Sequence, residues 1–272
     1  MLETAKQIAL EAGALLREGQ EKGFSLERKS TSIDLVTEYD TMAEKLVVST
    51  LEKAYPDHGI VAEEGSSREC RSAQGYRWYV DPLDGTNNFA HLIPHFSVSI
   101  ALFKADQPEV GVVYDPMRRE LFWAQRGQGA FLNGKALRVS SAEKVGDSIL
   151  SSGFPYDRHN SEVDNLSQMG AFLKKCQGFR RFGSCALDLC YLAAGRYDGF
   201  WEFKLSPWDV AAGVLLATEA GGTVTRIDGS KLGYLTERNH LVASNGRIHQ
   251  EMLQILKPTL TQAHLHTGSE VL

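Results

Sequence analysis

Near the amino terminus, Ile8, Ala12, Leu15 and Leu16 recur at helical spacing among polar neighbours, which predicts an amphipathic helix over residues 3–18. The next stretch, "GQEKGFSLERKSTSID", keeps no period, carries glycine and basic residues, and reads as a mobile loop or a frayed hairpin. Thr37, followed three residues later by Asp40, resembles a capping box, so a second helix is expected from there to about Ala54, with Pro56 beyond its end. A turn at Asp57-His58-Gly59 then leads into a short strand, Ile60-Val61, that ends at Glu63-Glu64-Gly65. From residue 76 the pattern becomes strand-rich. Strands are expected over 76–81, 96–103, 109–114, 120–124 and 130–132, divided by turn residues at 106–108 and 115–116 and followed by Asn133-Gly134, a hairpin signal.

Around residue 140 strands and helices begin to alternate. The pattern predicts a strand over 148–154, a helix over 161–175, a strand over 178–182 and a helix over 184–194 ended by Gly195. A strand over 198–203, a helix over 207–219 ended by Gly221-Gly222, a strand over 222–227 and a helix near 247–256 follow. The polar tail beyond Pro258 is expected to be disordered. The reading is one unit over 1–257 of mixed α/β class, antiparallel-rich to about residue 140 and alternating from 141 to 257. No linker separates the halves, and their shared interface is a natural place for a pocket.

Composition narrows what such a fold does. The 272 residues, 43% hydrophobic and 23% charged, are ordinary for a globular chain that buries a sizeable core. A net charge of −5 argues against nucleic-acid binding through bulk positive charge, and the pairs Arg118-Arg119 and Arg180-Arg181 are too short to form a stripe. Four cysteines without C-x-x-C spacing read as reduced thiols. The start lacks the cationic-then-apolar pattern of a signal peptide, and no stretch approaches the length of a membrane span. The expectation is a cytoplasmic protein with neither a membrane nor a nucleic-acid partner.

The candidate chemistry lies in the acids. In "VDPLDGTNNF", residues 80–89, Asp81 and Asp84 stand three apart at the end of an apolar run. A plain turn accounts for Asp-Pro and Asp-Gly. Glu63-Glu64-Gly65 also reads as a solvated loop, and Asp209 of "SPWD" and Asp40 both read as capping-box acids. Yet Glu63, Asp81, Asp84 and Asp209 all sit at strand ends or helix starts, where a sheet-based site collects its side chains. Four converging carboxylates would repel unless a cation neutralised them. An all-oxygen set without His or Cys favours Mg²⁺. No P-loop and no G-x-S-x-G nucleophile elbow occurs, and His58, His91 and His95 lack ligand spacing.

Residues 78–89, "WYVDPLDGTNNF", and 208–222, "WDVAAGVLLATEAGG", resemble the two signatures of the inositol monophosphatase family, within the lithium-sensitive, Mg²⁺-dependent phosphatases. "DLVTEYD", "VAEEG", "GVVYDP", "GQGAFLNG" and "RRFGSCALDLCYLAAGRYDGFWE" support it in order, so the likeness spans residues 1–257. The resemblance implies a layered αβαβα sandwich, commonly a homodimer, and phosphate-monoester hydrolysis with two or three Mg²⁺ per site. It implies metal ligation by Glu63, Asp81, the Leu83 carbonyl, Asp84 and Asp209. It places Glu63 and Thr86 at the attacking water, with Asp40 behind Thr86. Asp84, Gly85, Thr86, Arg180, Ser184, Glu202 and Asp209 match substrate-binding positions, and Lys29 lies in the segment matching a flexible lid. Inositol 1-phosphate is the first choice of substrate, with fructose 1,6-bisphosphate, histidinol phosphate and nucleotide 3′-phosphates as alternatives. A non-catalytic binding protein on the same scaffold is the reading from another class. Two departures bear on specificity: "SSGFPYDRHN" differs from the animal enzymes and looks bacterial, and Cys185 stands where a smaller alanine is common.

Overall fold

The computed structural model describes residues 1–28, 35–233 and 235–265. Lys29, the expected lid residue, lies outside them. The chain opens with helix α1 (Leu2–Lys22), which is longer than the spacing predicted and ends where Gly23 takes a left-handed φ of 85°. Strands β1 (Leu26–Arg28) and β2 (Leu35–Thr37) pair antiparallel, which agrees with the hairpin rather than the loop of the two readings of this stretch. Helix α2 (Glu38–Ala54) follows, with the capping box of Thr37 and Asp40 formed.

Strands β3 (Gly59–Ala62), β4 (Tyr76–Asp84), β5 (Ser97–Lys104), β6 (Gln107–Asp115), β7 (Glu120–Gln125), β8 (Gly129–Leu132) and β9 (Lys135–Ala136) lie side by side in chain order as one sheet. β3 and β4 are parallel, and every later pair is antiparallel. The short helix α3 (Thr86–Ala90) interrupts the β4–β5 connection. The second half supplies β10 (Ile149–Ser152), α4 (Leu166–Leu173), β11 (Gly178–Arg180), α5 (Cys185–Ala193), β12 (Gly199–Leu205), α6 (Pro207–Glu219), β13 (Thr223–Arg226), β14 (Asn239–Ser244) and α7 (His249–Leu256). Its sheet runs in the order β11-β10-β12-β14-β13.

Three buried clusters define the layers. One joins α1 and α2 to an outer face of the first sheet through Ile8, Leu16, Val47, Trp78, Ile100 and Val112. The second packs α5 and α6 between the two sheets, and the third seats α4 and α7 beneath the second sheet through Phe172, Trp201 and Met252. The result is the αβαβα sandwich expected.

The differences have local causes. The predicted helix over 161–175 forms only as α4. Asn165 sits at its start with φ of 70°, its amide bonded to the Ser152 hydroxyl and the Gly153 carbonyl while its oxygen accepts from Trp201 Nε1. β14 was not expected, because Asn239 and His240 break its apolar pattern. Asn239 is nevertheless buried, with its side chain bonded to the Leu205 and Thr236 carbonyls. The tail is not disordered directly after Pro258: short 3₁₀ turns continue at Lys257–Thr259 and Gln262–Leu265, and buried His264 bonds Gln168.

Candidate active site

The site grows from two irregularities in the sheets. Along β4 and β5, Asp81 pairs with Ser99 but Asp84 with Ser97, so one extra residue bulges around Pro82. A bulge bends the strand and re-aims its side chains, and proline, without an N–H, is tolerated there. Gly85 then turns the chain with φ of 99°, and an added Cβ would lie 3.2 Å from the carbonyls of Gly183 and His95. The register of β12 against β14 likewise slips between Glu202 and Leu205. Ser206 caps α6 there, and its backbone N–H donates to Asp209 at 2.7 Å.

These turns face one cleft. Glu63, Asp81, Leu83, Asp84, Gly85, Thr86, Ser184, Glu202 and Asp209, all singled out in the sequence, line it. Asp40 stands immediately behind, with Thr86 Oγ1 2.9 Å from its Oδ1. Arg180 does not line the cleft; it is exposed and bonds the Phe179 carbonyl, whereas its neighbour Arg181 does line it. Asp188, Gly153, Phe154 and Tyr156 also line the cleft and were not anticipated. Asp188 lies one helical turn beyond Ser184 on α5, a spacing that could have signalled it. The last three belong to the divergent "SSGFPYDRHN" segment, which Lys204 ties down through Asp157 at 2.7 Å.

Electrostatically the acids strain against one another. Burial pushes Asp81 well above the usual carboxylate range, and Glu63, Asp84 and Asp209 push it further. Asp209 is raised in the same way, by burial and then by Glu63 and Asp84. Asp84 is raised to about 6 by burial, against the opposing bonds from the Ser184 hydroxyl and the N–H groups of Ala186 and Cys185. Glu202 is raised to about 8 by burial and the Asp84 charge, with Arg181 opposing. Cys185 is buried beside these acids and held as a thiol.

This donor set suits a hard divalent cation. Among the described residues it offers several carboxylates and a carbonyl, no imidazole on the cleft, and a negative charge that the acids cannot all carry unaided. Among the described residues, no three acid, histidine or cysteine side chains are already gathered tightly around a point an ion could fill. The Asp84 carboxylate is engaged by Ser184 Oγ, by Ala186 N at 2.9 Å, by Cys185 N at 3.2 Å and by Ser97 Oγ at 3.3 Å. The fit is therefore one of donor chemistry and of convergence on a single cleft.

The fold and site together define a layered αβαβα sandwich with an acid-lined cleft at the ends of its strands. The chain belongs to the inositol monophosphatase family, whose model matches residues 1–260. It is 44% identical over 264 residues, covering 97% of this chain and 98% of the other, to a protein of Escherichia coli K12 named Nus factor SuhB. Among solved structures it is similar to an inositol monophosphatase from Anabaena sp. PCC 7120, with a TM-score of 0.84, 39% identity and coverage of 94% and 95%. It is similar also to the extragenic suppressor protein SuhB of Bartonella henselae, with a TM-score of 0.85, 37% identity and coverage of 95% and 98%. Among the described residues no helix is long and apolar enough to cross a membrane, and all four cysteines are free.

Proposed function

We propose that the chain hydrolyses a phosphate monoester with Mg²⁺, and that inositol 1-phosphate is the first substrate to test. The observation that carries this reading is the convergence of Glu63, Asp81, Leu83, Asp84, Thr86 and Asp209 on one cleft. The acids and the Leu83 carbonyl would hold two or three Mg²⁺. When bound, the metal would supply positive charge against the phosphate and acidify water held beside it. Thr86 has one hydroxyl proton, shared between Asp40 and the Leu83 carbonyl, so its lone pairs are left to orient the attacking water. Glu63 accepts that water's proton. A new oxygen–phosphorus bond forms as the bond from phosphorus to the ester oxygen breaks; the leaving oxygen takes a proton from a second water to depart as the alcohol, and the proton held by Glu63 neutralises the hydroxide left behind. Glu202 and Arg181 face the alcohol portion, Glu202 accepting from its hydroxyls.

The test is phosphate release with Mg²⁺ from inositol 1-phosphate, fructose 1,6-bisphosphate, histidinol phosphate and a nucleotide 3′-phosphate, each with and without lithium. A clear preference for one ester supports the reading. No release from any of them by folded protein counts against it. A homodimer is part of the proposal, checked by sedimentation.

The name Nus factor, borne by relatives of near-full-length likeness, favours a second reading in which a small phosphate ester is not the chain's sole partner. An Asp84→Asn chain that replaces the Escherichia coli relative in cells as well as wild type does would support a binding role independent of catalysis. Replacement by wild type alone would support catalysis.

A further inference from the structure

Helix α2 carries two buried acids one turn apart, and each reaches a different cleft loop. Asp40 and Glu44 are both 1% exposed. Asp40 caps the helix and meets Thr86. Glu44 accepts hydrogen bonds from the backbone N–H of Glu64 at 2.7 Å and of Ser66 at 2.9 Å, one on each of its oxygens. On the other side, the Glu63 N–H donates to the Val80 carbonyl at 3.3 Å, and the Ser67 hydroxyl closes the turn onto the Ala62 N–H at 3.1 Å. Glu63 is thus fixed from both flanks. The turn needs Gly65, whose φ is 99° and whose Cα faces open space.

We infer that Glu44 is a positioning residue for Glu63, and that α2 acts as a rigid ruler setting the Glu63 loop against the Thr86 loop. A buried carboxylate with both oxygens satisfied by the amides of one turn fixes that turn more firmly than a neutral acceptor, because bonds to a charged group are stronger and shorter. The two acids are four residues apart on continuous helix, so their side chains share one face and their separation is set by helix geometry. Partners that orient ligand-bearing groups commonly control metal affinity without touching the metal. The inference rests on the proposed phosphatase reading for what Glu63 does, but the clamp itself can be tested without metal or substrate.

Glu44→Gln is nearly isosteric, yet it brings an amide donor against one of the two N–H groups. Hydrogen exchange on the metal-free protein reads the clamp directly. Protection of the Glu64 and Ser66 amides is expected to fall by about tenfold or more, the size of one lost charge-assisted bond, while β4 to β6 keep theirs. Calorimetric titration with Mg²⁺ reads the consequence: affinity is expected to weaken by about 10- to 100-fold, as when an orienting partner of a ligand is lost. Should Glu44→Gln fold poorly, Gly65→Ala distorts the same turn from the open side, and the same two changes are expected. Unchanged exchange at Glu64 and Ser66 would overturn the clamp. Lost protection with an unchanged Mg²⁺ isotherm would make Glu44 a fold residue only and overturn its positioning role. Wild-type protein that takes up no Mg²⁺, with the exchange result as expected, would sink the phosphatase reading and leave the clamp standing.

Discussion

Thr86 Oγ1 lies 2.9 Å from Asp40 Oδ1, joining the first turn of α3 to the first turn of α2 across 46 residues of sequence. The other Asp40 oxygen is taken by the Thr37 backbone N–H at 2.7 Å and hydroxyl at 2.6 Å, so the carboxylate is fully occupied. Thr86→Val keeps the shape and removes the hydroxyl. Turnover is expected to fall about 100-fold, the lower range for losing a group that handles the reacting proton, with little change in KM. Thr86→Ser should restore most of it. Steady-state kinetics of the two variants decides, and a fully active Thr86→Val would remove Thr86 from the mechanism.

Asp84→Asn tests the metal assignment. The carboxylate accepts from Ser184, Cys185 and Ala186, bonds an amide oxygen can partly keep, so the fold is expected to survive. Mg²⁺-dependent phosphate release should drop by about 10²- to 10³-fold, as when a preorganised charge is lost at a reacting centre. Circular dichroism and phosphate release together read this out. A folded variant with wild-type, Mg²⁺-dependent turnover would sink the assignment.

Much of this arrangement could be read from the sequence because local rules and site chemistry coincide. Asp40 and Asp209 are good capping-box acids, Asp209 lining the cleft and Asp40 standing behind Thr86, so helix starts announced their positions. The proline between Asp81 and Asp84 and the glycine after Asp84 were legible as a turn, but not as the bulge that the β4–β5 register reveals. Glu44 was not, although an acid surrounded by the buried positions Ala43, Val47, Val48 and Leu51 of an amphipathic helix was a usable signal. β14 escaped because its burial depends on β12 and β13 flanking it, which no local pattern encodes. That Arg181 rather than Arg180 reaches the cleft is likewise not encoded in the adjacent pair itself.

The cleft acids should make metal-free stability fall with pH. Glu202, ordinarily near 4.5, is raised to about 8, so between those values the native state holds a proton that the unfolded chain has released. Stability then falls as pH rises. Buried His95 and His240 act oppositely, each lowered from 6.5 to about 4, which makes stability rise across that lower window. Above pH 6.5 the histidine contribution fades as the unfolded imidazoles lose their protons, and towards pH 8 the acids dominate. The melting temperature of chelator-treated protein should therefore decline between pH 6.5 and 8, and Mg²⁺ should restore it by binding only the native state. A flat or rising profile over that window would contradict the packing of these acids.

Gly153 sets where Glu202 lies. A Cβ at this position would fall 1.9 Å from Glu202 Oε1 and 2.3 Å from its carboxyl carbon, far inside contact distance, so the carboxylate rests directly on the glycine. Gly153→Ala must therefore displace Glu202 from the alcohol side of the cleft while leaving Asp81, Asp84 and Asp209 on their own strand and helix ends. For a polyol phosphate, KM is expected to rise by about tenfold, the cost of one lost hydrogen bond. For an aryl phosphate without hydroxyls on its leaving group, kcat/KM should change little. Paired kinetics on the two esters separates recognition of the alcohol from chemistry at phosphorus. Equal losses on both would show that the substitution reached the metal side, and that Glu202 does not read the leaving group.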